Sequence, residues 1–285
     1  MNILLNKNFK YFLAFSFLII SFLILSTIKA NSDECTKEGT KLVFTGTNCN
    51  TAPDTYEITL YKIYICRAEP SGITTSATHD MSTCELLFED TAGEVISIPL
   101  GGTATLTGTL NRPPNGSYVS GVFLIDNYIG NTSDNEYTTN QTGAKVGSPT
   151  GAFCATVAGS GIWSSTGNTS ESVNCSANDD LTAGVHKEIL QTLTSDVFDP
   201  DRDYTTAWGR LVDSNDFLAT AGSDVDKFQI VSKADTANPF VFTNEISSID
   251  LSFRVSQGMS LYYSGASSNL LNIGGGPFVV GMTVN

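Results

Sequence analysis

The chain has 285 residues and a net charge of −14, because 29 aspartate and glutamate residues outnumber 15 lysine and arginine residues. The first thirty residues contain three lysines and no acid, so the rest carries 12 basic and 29 acidic residues, a net charge of −17. Phosphate backbones repel such a protein, which excludes nucleic acid as a partner. Only 15% of the residues are charged and 41% are hydrophobic, which excludes a disordered acidic tail and a coiled coil.

Residues 1–30 have the features of a secretory signal peptide in the usual order. Lys7 and Lys10 precede residues 11–28, which carry no charge, and Ala30 offers a small residue for cleavage. The uncharged run of 18 residues is also just long enough to span a bilayer, so a retained N-terminal anchor is the alternative. We expect cleavage, and a mature protein without membrane contact that is secreted, periplasmic or held at the cell surface.

Six cysteines follow the signal, and an even number in an exported chain indicates disulfide bonds. They form three neighbouring couples with 13, 17 and 20 residues between the partners, and each couple flanks a segment rich in turn residues. A zinc site would need closely spaced pairs such as C-x-x-C, which the chain lacks. The spacing therefore predicts the disulfides Cys35–Cys49, Cys66–Cys84 and Cys154–Cys175.

Strand patterns are frequent along the chain. Residues 56–60 and 61–65 both alternate, but in opposite phases, which predicts a β-bulge near Leu60 and Tyr61. Residues 119–125 are apolar on both faces and predict a central strand. Further strands are expected at 85–88, 95–100, 105–110, 153–157, 205–212, 228–231, 240–242, 249–255 and 278–284.

Many short strands separated by turns predict an all-β fold, a disulfide-stapled β-sandwich with an immunoglobulin-like or prealbumin-like layout. The apolar positions of residues 181–194 have helical spacing and predict at most one short helix, although part of this stretch also alternates. We expect residues 31–285 to form one β-sandwich domain. The polar, turn-rich residues 130–150 are either a surface loop within it or a linker that splits it into two β modules.

The acidic residues offer one candidate metal site. Asp199, Asp201 and Asp203 alternate within five residues, and such a loop can turn several oxygens toward Ca²⁺. An EF-hand is excluded because Tyr204 stands where the loop requires glycine, and Arg210 where it requires glutamate. The alternative interpretation is that these acids, like those at 213–216 and 224–226, are ordinary turn formers.

Signals for catalysis are weak. The chain lacks a G-x-S-x-G motif, and His79 and His186 have no recognisable catalytic partners in the sequence. His79 is interpreted as a loop residue and His186 as a residue facing solvent. Gly274, Gly275 and Gly276 lack the Lys-Ser/Thr of a phosphate loop and are interpreted as a flexible turn.

These observations together predict an exported, non-enzymatic β-sandwich protein that acts at the cell surface or outside the cell, in adhesion, assembly or ligand binding. We expect its partner to be a surface or extracellular protein or a glycan, with no cofactor unless Ca²⁺ binds. The C-terminal strand adds the possibility of self-assembly by pairing with a neighbouring subunit. The alternatives are a Ca²⁺-dependent carbohydrate-binding module and a secreted hydrolase.

Overall fold

The computed structural model describes residues 34–100, 106–163, 171–191, 207–232, 236–245, 249–263, 269–276 and 278–284. The predicted signal peptide lies outside these residues. The described chain is all-β, as predicted, and adds one short 3₁₀ turn at Gly222–Asp224. Its strands are β1 Lys37–Glu38, β2 Lys41–Leu42, β3 Cys49–Thr51, β4 Thr55–Cys66, β5 Cys84–Pro99, β6 Thr109–Leu110, β7 Gly116–Tyr118, β8 Ser120–Asp126, β9 Tyr128–Thr132, β10 Asp134–Gly143, β11 Thr150–Thr156, β12 Gly159–Trp163, β13 Val173–Ser176, β14 His186–Leu190, β15 Ala207–Val212, β16 Lys227–Ser232, β17 Phe240–Phe242, β18 Ile249–Arg254, β19 Met259–Tyr263, β20 Leu270–Gly275 and β21 Val279–Val284.

The larger of the two main sheets has nine strands and is organised around β4. Its order is β12-β14-β9-β4-β8-β16-β15, and β5 and β6 extend it on the other side of β4. Strands β8 and β9 follow each other and pair with successive halves of β4. Strand β8 lies between β4 and β16 and is buried except at its last residue, which confirms the predicted central strand.

The predicted bulge in β4 is present. Opposite β8, Leu60 pairs with Ile125 and Lys62 pairs with Leu124, so that Tyr61 is the extra residue. The register with β5 shifts at the same point, but there the additional residues lie in β5, between Glu89 and Glu94. The extra residue reverses the alternation, and Leu60 and Ile63 therefore both face the core, each at most 1% exposed. Tyr61 lies on the other face, where its hydroxyl donates to Asp126 at 3.2 Å.

The second main sheet has eight strands and takes up the N-terminal segment and the later part of the chain. Its order is β1-β2-β10-β20-β19-β3, with β11 paired to β10 and β13 paired to β11. The chain passes from the nine-stranded to the eight-stranded sheet between β9 and β10, at the buried Ser133. Residues 128–143 therefore form strands of both sheets, with one residue between them, where the sequence suggested a linker or a surface loop.

Two shorter strand pairs complete the described chain. Strand β17 pairs with β7, and Phe242 packs edge-on against Tyr118 with ring centroids 5.5 Å apart. The C-terminal strand β21 pairs antiparallel with β18 over the full length of both strands. The C-terminal strand is thus hydrogen-bonded to its own chain along one edge.

Each main sheet has its own apolar cluster, because alternation directs every second side chain of a strand to the same face. The cluster on the nine-stranded sheet contains Tyr56, Ile58, Phe88, Tyr118 and Phe228, all at most 1% exposed. The cluster on the eight-stranded sheet is built from the side chains of Leu42, Phe44, Tyr137, Val173, Met259, Leu261, Leu271 and Ile273 together with two of the disulfides. Residues 32–285 form one compact unit.

Three disulfides join Cys35 to Cys49, Cys66 to Cys84 and Cys154 to Cys175, the pairs that the spacing predicted. Two of them connect residues directly opposite each other in antiparallel pairs, β4 with β5 and β11 with β13. The first ties the N-terminal segment to β3, beside the hydrogen bond from the Cys35 amide to the Asn50 carbonyl at 2.7 Å. Because disulfides persist in oxidising compartments, these three indicate such an environment for the folded protein.

The prediction of a helix near residues 181–194 is wrong, because the residues that the structure describes there are not helical. Residues 181–185 have no regular structure and His186–Leu190 form strand β14, while residues 192–194 lie outside the description. Strand β14 pairs with β12 on one side and β9 on the other. Two of its inward residues, His186 and Glu188, are polar and fully buried, and only Leu190 on that face is apolar, so the sequence lacks the usual alternation of a strand.

Candidate functional site

The predicted calcium ligands Asp199, Asp201 and Asp203 lie outside the described residues. The acidic turn at 213–216 is described and acts as a turn. The Asp213 carboxylate accepts the backbone amides of Asn215 and Phe217 at 2.8 and 3.0 Å, and these bonds, that from Phe217 above all, lower its pKa. Asp224 accepts the hydroxyls of Thr220 and Ser223 in the same way. These carboxylates are used to hold local backbone structure.

Across the described ranges, no cluster of three or more histidine, cysteine, aspartate or glutamate side chains is arranged to hold a metal ion. The same ranges include no helix with the length and apolar character required to cross a bilayer.

Both histidines are buried, each 3% exposed, so the interpretation of His186 as a residue facing solvent is wrong. They lie in different surroundings and define two candidate sites.

His79 belongs to the loop 67–83, which the Cys66–Cys84 disulfide closes. The loop covers one face of β8 and β16, where Met81 and the disulfide pack against Val122 and Val231. Backbone bonds hold it in place, including Asp80 N–H to the Ser71 carbonyl and Leu218 N–H to the Thr74 carbonyl, both 2.9 Å. The loop is therefore held by its own internal bond, by the bond to Leu218 and by its packing on the sheet.

A cavity of about 500 Å³ opens between this loop and strand β15. We call it the loop pocket. Its polar lining comes from Glu69, Ser71, His79 and Arg210, and its apolar lining from residues such as Leu218. Arg210 stands opposite Gln229 in the β15–β16 pair, which places the guanidinium on the face of the sheet that the loop covers.

The environment of the loop pocket keeps His79 neutral near pH 7. Burial lowers the pKa of the imidazole, and the positive charge of Arg210 lowers it further, while Ser71 and Gln229 act in the opposite direction. The loop pocket thus presents a cation, a carboxylate and an uncharged imidazole within one opening. Such a set of donors and acceptors suits a polar ligand that offers both kinds of hydrogen-bonding group.

The second site lies where the two main sheets meet. We call it the polar seam and define it by Asn131, His186 and Glu188 of the nine-stranded sheet and by Gly274 and Gly275 of β20. His186 stands opposite Asn131 in the β14–β9 pair, and Glu188 is the next residue of β14 on that face. The Gly275 amide donates to Glu188 Oε2, and Asn131 Nδ2 donates to the Gly274 carbonyl at 3.4 Å.

The glycines of the polar seam make room for the carboxyl group of Glu188. A Cβ atom on Gly274 would lie 2.7 Å from Glu188 Oε1, and one on Gly275 would lie 3.1 Å from Oε2. Gly274 and Gly275 are strand residues, so their interpretation as part of a flexible turn is wrong. The sequence shows this glycine pair but not the side chain that it accommodates, because Glu188 lies 86 positions before Gly274.

Burial gives Glu188 an unusual titration. Desolvation raises the pKa of its carboxyl group from 4.5 to about 7, and the single bond from Gly275 opposes this only weakly. Burial also lowers the pKa of His186, whose Nδ1 lies 3.2 Å from the Val157 carbonyl. Below about pH 7, down to the lowered pKa of His186, the polar seam is therefore uncharged, and its polar side chains are buried.

Comparison of the chain with protein-family models, with curated proteins and with solved structures gives no match.

Proposed function

We propose that the protein is exported and non-enzymatic, and that it acts at the cell surface or outside the cell by binding a ligand in the loop pocket. The loop pocket itself carries this proposal, because a disulfide-closed loop places Glu69 and His79, and strand β15 places Arg210, around an open cavity. The three disulfides support an extracellular setting, since they suit an oxidising compartment. A ligand could reach the loop pocket but not the buried polar seam.

Of the two partner classes, protein and glycan, the polar groups of the loop pocket favour a glycan. Arg210 supplies several donors in one plane and Glu69 supplies two acceptor oxygens, which together can pair with neighbouring sugar hydroxyls. The apolar surface of Leu218 beside them can cover the C–H face of a sugar ring.

The test is calorimetric titration of the protein with a panel of neutral, amino and acidic sugars: glucose, N-acetylglucosamine and glucuronic acid, with their oligomers. We expect one class to bind. Arg210→Gln should then weaken binding by at least about tenfold, because it removes a charged donor at the ligand. The matched control is Arg112→Gln, which changes an exposed arginine whose Nη2 donates to the Thr243 carbonyl.

Equal binding by the two arginine variants, or the absence of binding across the panel, would contradict a glycan site in the loop pocket. The calcium-dependent module, the hydrolase and self-assembly through β21 stay predictions. Pairing of β21 with β18 supports the simpler role of β21 as a strand of its own subunit.

A further inference from the structure

The polar seam places an ionisable side chain at the contact between the two main sheets. Glu188 projects from β14 of the nine-stranded sheet, and its Oε2 accepts the Gly275 amide of β20 in the eight-stranded sheet. Its residue exposure is 3%, and Oε1 has no hydrogen-bond partner among the described residues. Because Oε2 accepts a bond, the proton of a neutral carboxyl group would reside on Oε1.

No cation faces Glu188 from the described elements that pack against it. The titratable side chains on this face are His186 of β14 and Tyr56 of β4, which stand on either side of Asn131. Strand β9 contributes Ile129 opposite Glu188, and β12 contributes Gly161. Strand β20 contributes glycines and the buried, uncharged Asn272.

The nearest lysine on β14 is directed to the opposite face. Lys187 Nζ lies 3.2 Å from Glu57 Oε1 and 4.1 Å from the centre of the Tyr128 ring. An ionised Glu188 would therefore be a buried charge with one backbone donor, and burial of a charge without a partner is strongly unfavourable.

We propose that the polar seam is a pH-sensitive joint between the two sheets, closed while Glu188 is protonated and loosened when Glu188 ionises. Loosening lets water reach the carboxylate by separating β14 from the Gly274–Gly275 segment of β20. The raised pKa of Glu188, about 7, agrees with this assignment. His186 limits the pH range of the closed state on the acid side. Its pKa is lowered from 6.5, so it becomes positively charged within the polar seam only at a pH below that value.

The proposal is tested by two measurements on the full chain. The first follows the Glu188 carboxyl carbon by NMR between pH 4 and 9, with Glu188→Gln used to assign the signal. The second measures hydrogen-exchange protection factors, which correct for the intrinsic effect of pH. We expect the carboxyl to titrate near neutral pH, and the protection of the Gly275 amide to fall at least about tenfold above that midpoint while the Leu124 amide in β8 stays protected.

Two variants separate the joint from a general loss of stability. Glu188→Gln should keep Gly275 protected at every pH, and Glu38→Gln, a change at an exposed position of β1, should behave as the wild type. A carboxyl midpoint near pH 4.5, or protection of Gly275 that does not depend on pH, would overturn the proposal. If Glu188→Gln does not fold, the proposal is tested in the wild type alone, by comparing how the protection of the Gly275 and Leu124 amides depends on pH.

Discussion

The two buried histidines have the same exposure but opposite kinds of surroundings. His79 lines an open cavity beside a glutamate and an arginine, on a loop that a disulfide holds against the sheet. His186 lies between Asn131 of β9 and Gly159 of β12, two residues before Glu188 on the same strand. Burial lowers the pKa of both imidazoles, but only at His79 does a neighbouring charge contribute.

This difference separates a site that can meet a ligand from one that responds only to protons. The loop pocket combines charged groups with an opening, so a ligand could contact them. The side chains of the polar seam are buried, and a charge that arises among them must be tolerated by the fold or relieved by opening. Chemistry alone does not distinguish the sites, since each contains a histidine and a glutamate.

The largest expected difference between the polar seam and the loop pocket is in how each makes stability depend on pH. Between pH 4.5 and about 7 the folded protein retains the Glu188 proton that the unfolded chain releases. The free energy of unfolding should therefore fall as pH rises through this range, by up to about 3 kcal/mol, and this dependence should level off above it. Urea unfolding of the wild type and of Glu188→Gln at several pH values measures this effect. The difference between their free energies of unfolding should change with pH over this range.

The histidines provide an internal contrast in the same experiment. Their lowered pKa values mean that the unfolded chain binds protons first as pH falls below 6.5, so stability is lost on the acid side. Glu188→Gln should keep this acid-side loss. A difference between the two proteins that does not change between pH 5 and 8 would show that Glu188 ionises normally.

A smaller effect is expected from adding one methyl group in each region. Gly274→Ala would place Cβ 2.7 Å from the Glu188 carboxyl group, and this overpacking should cost about 1–3 kcal/mol. Gly72→Ala in the loop pocket meets no atom within 4 Å, but Gly72 has a φ of +88°, so we expect backbone strain of about 1 kcal/mol. Denaturant unfolding of each variant measures both costs.

The origin of the larger cost is checked with a double-mutant cycle. Gly274→Ala should be less costly when Glu188 is also replaced by alanine, because the atom that the new methyl group meets is then absent. Gly72→Ala should cost the same in either background. Additive costs for Gly274 and Glu188 would contradict the close contact between them.

The smallest expected effect is on the titration of the imidazoles. Arg210→Ala removes the positive charge beside His79, so the pKa of His79 should rise toward its ordinary value of 6.5. The pKa of His186 should not change, since burial is the cause that lowers it. NMR titration of the two imidazole rings reports both at once, and equal shifts would mean that the two sites are not independent.

Local patterns predicted much of the fold. The opposite phases on either side of Leu60 and Tyr61 predicted the bulge that the pairing of β4 with β8 shows. Residues 119–125, apolar on both faces, predicted a strand that lies between two others. The disulfides follow from spacing because each connects cysteines that are close in the chain, and two of them join neighbouring strands.

Neither candidate site could be predicted, because each depends on contacts between distant residues. The loop pocket joins residues 69–79 to Arg210, and the polar seam joins Asn131 and Glu188 to Gly274 and Gly275. The segment of strand β14 was predicted as a helix because its apolar residues have helical spacing, while two of its inward side chains, His186 and Glu188, are polar and give no strand alternation. Asp199, Asp201 and Asp203 lie outside the described residues.

The sequence by itself determined the all-β class, the disulfide pairs and the net charge, because composition, alternation and the spacing of near neighbours are properties of the chain. Only the tertiary structure decided which strands share a sheet, that both histidines are buried, and that Glu188 faces glycine backbone with no cation among the described residues packed against it. The physical reason is that burial and proton affinity depend on what a side chain meets across the fold, and local sequence does not specify that neighbour.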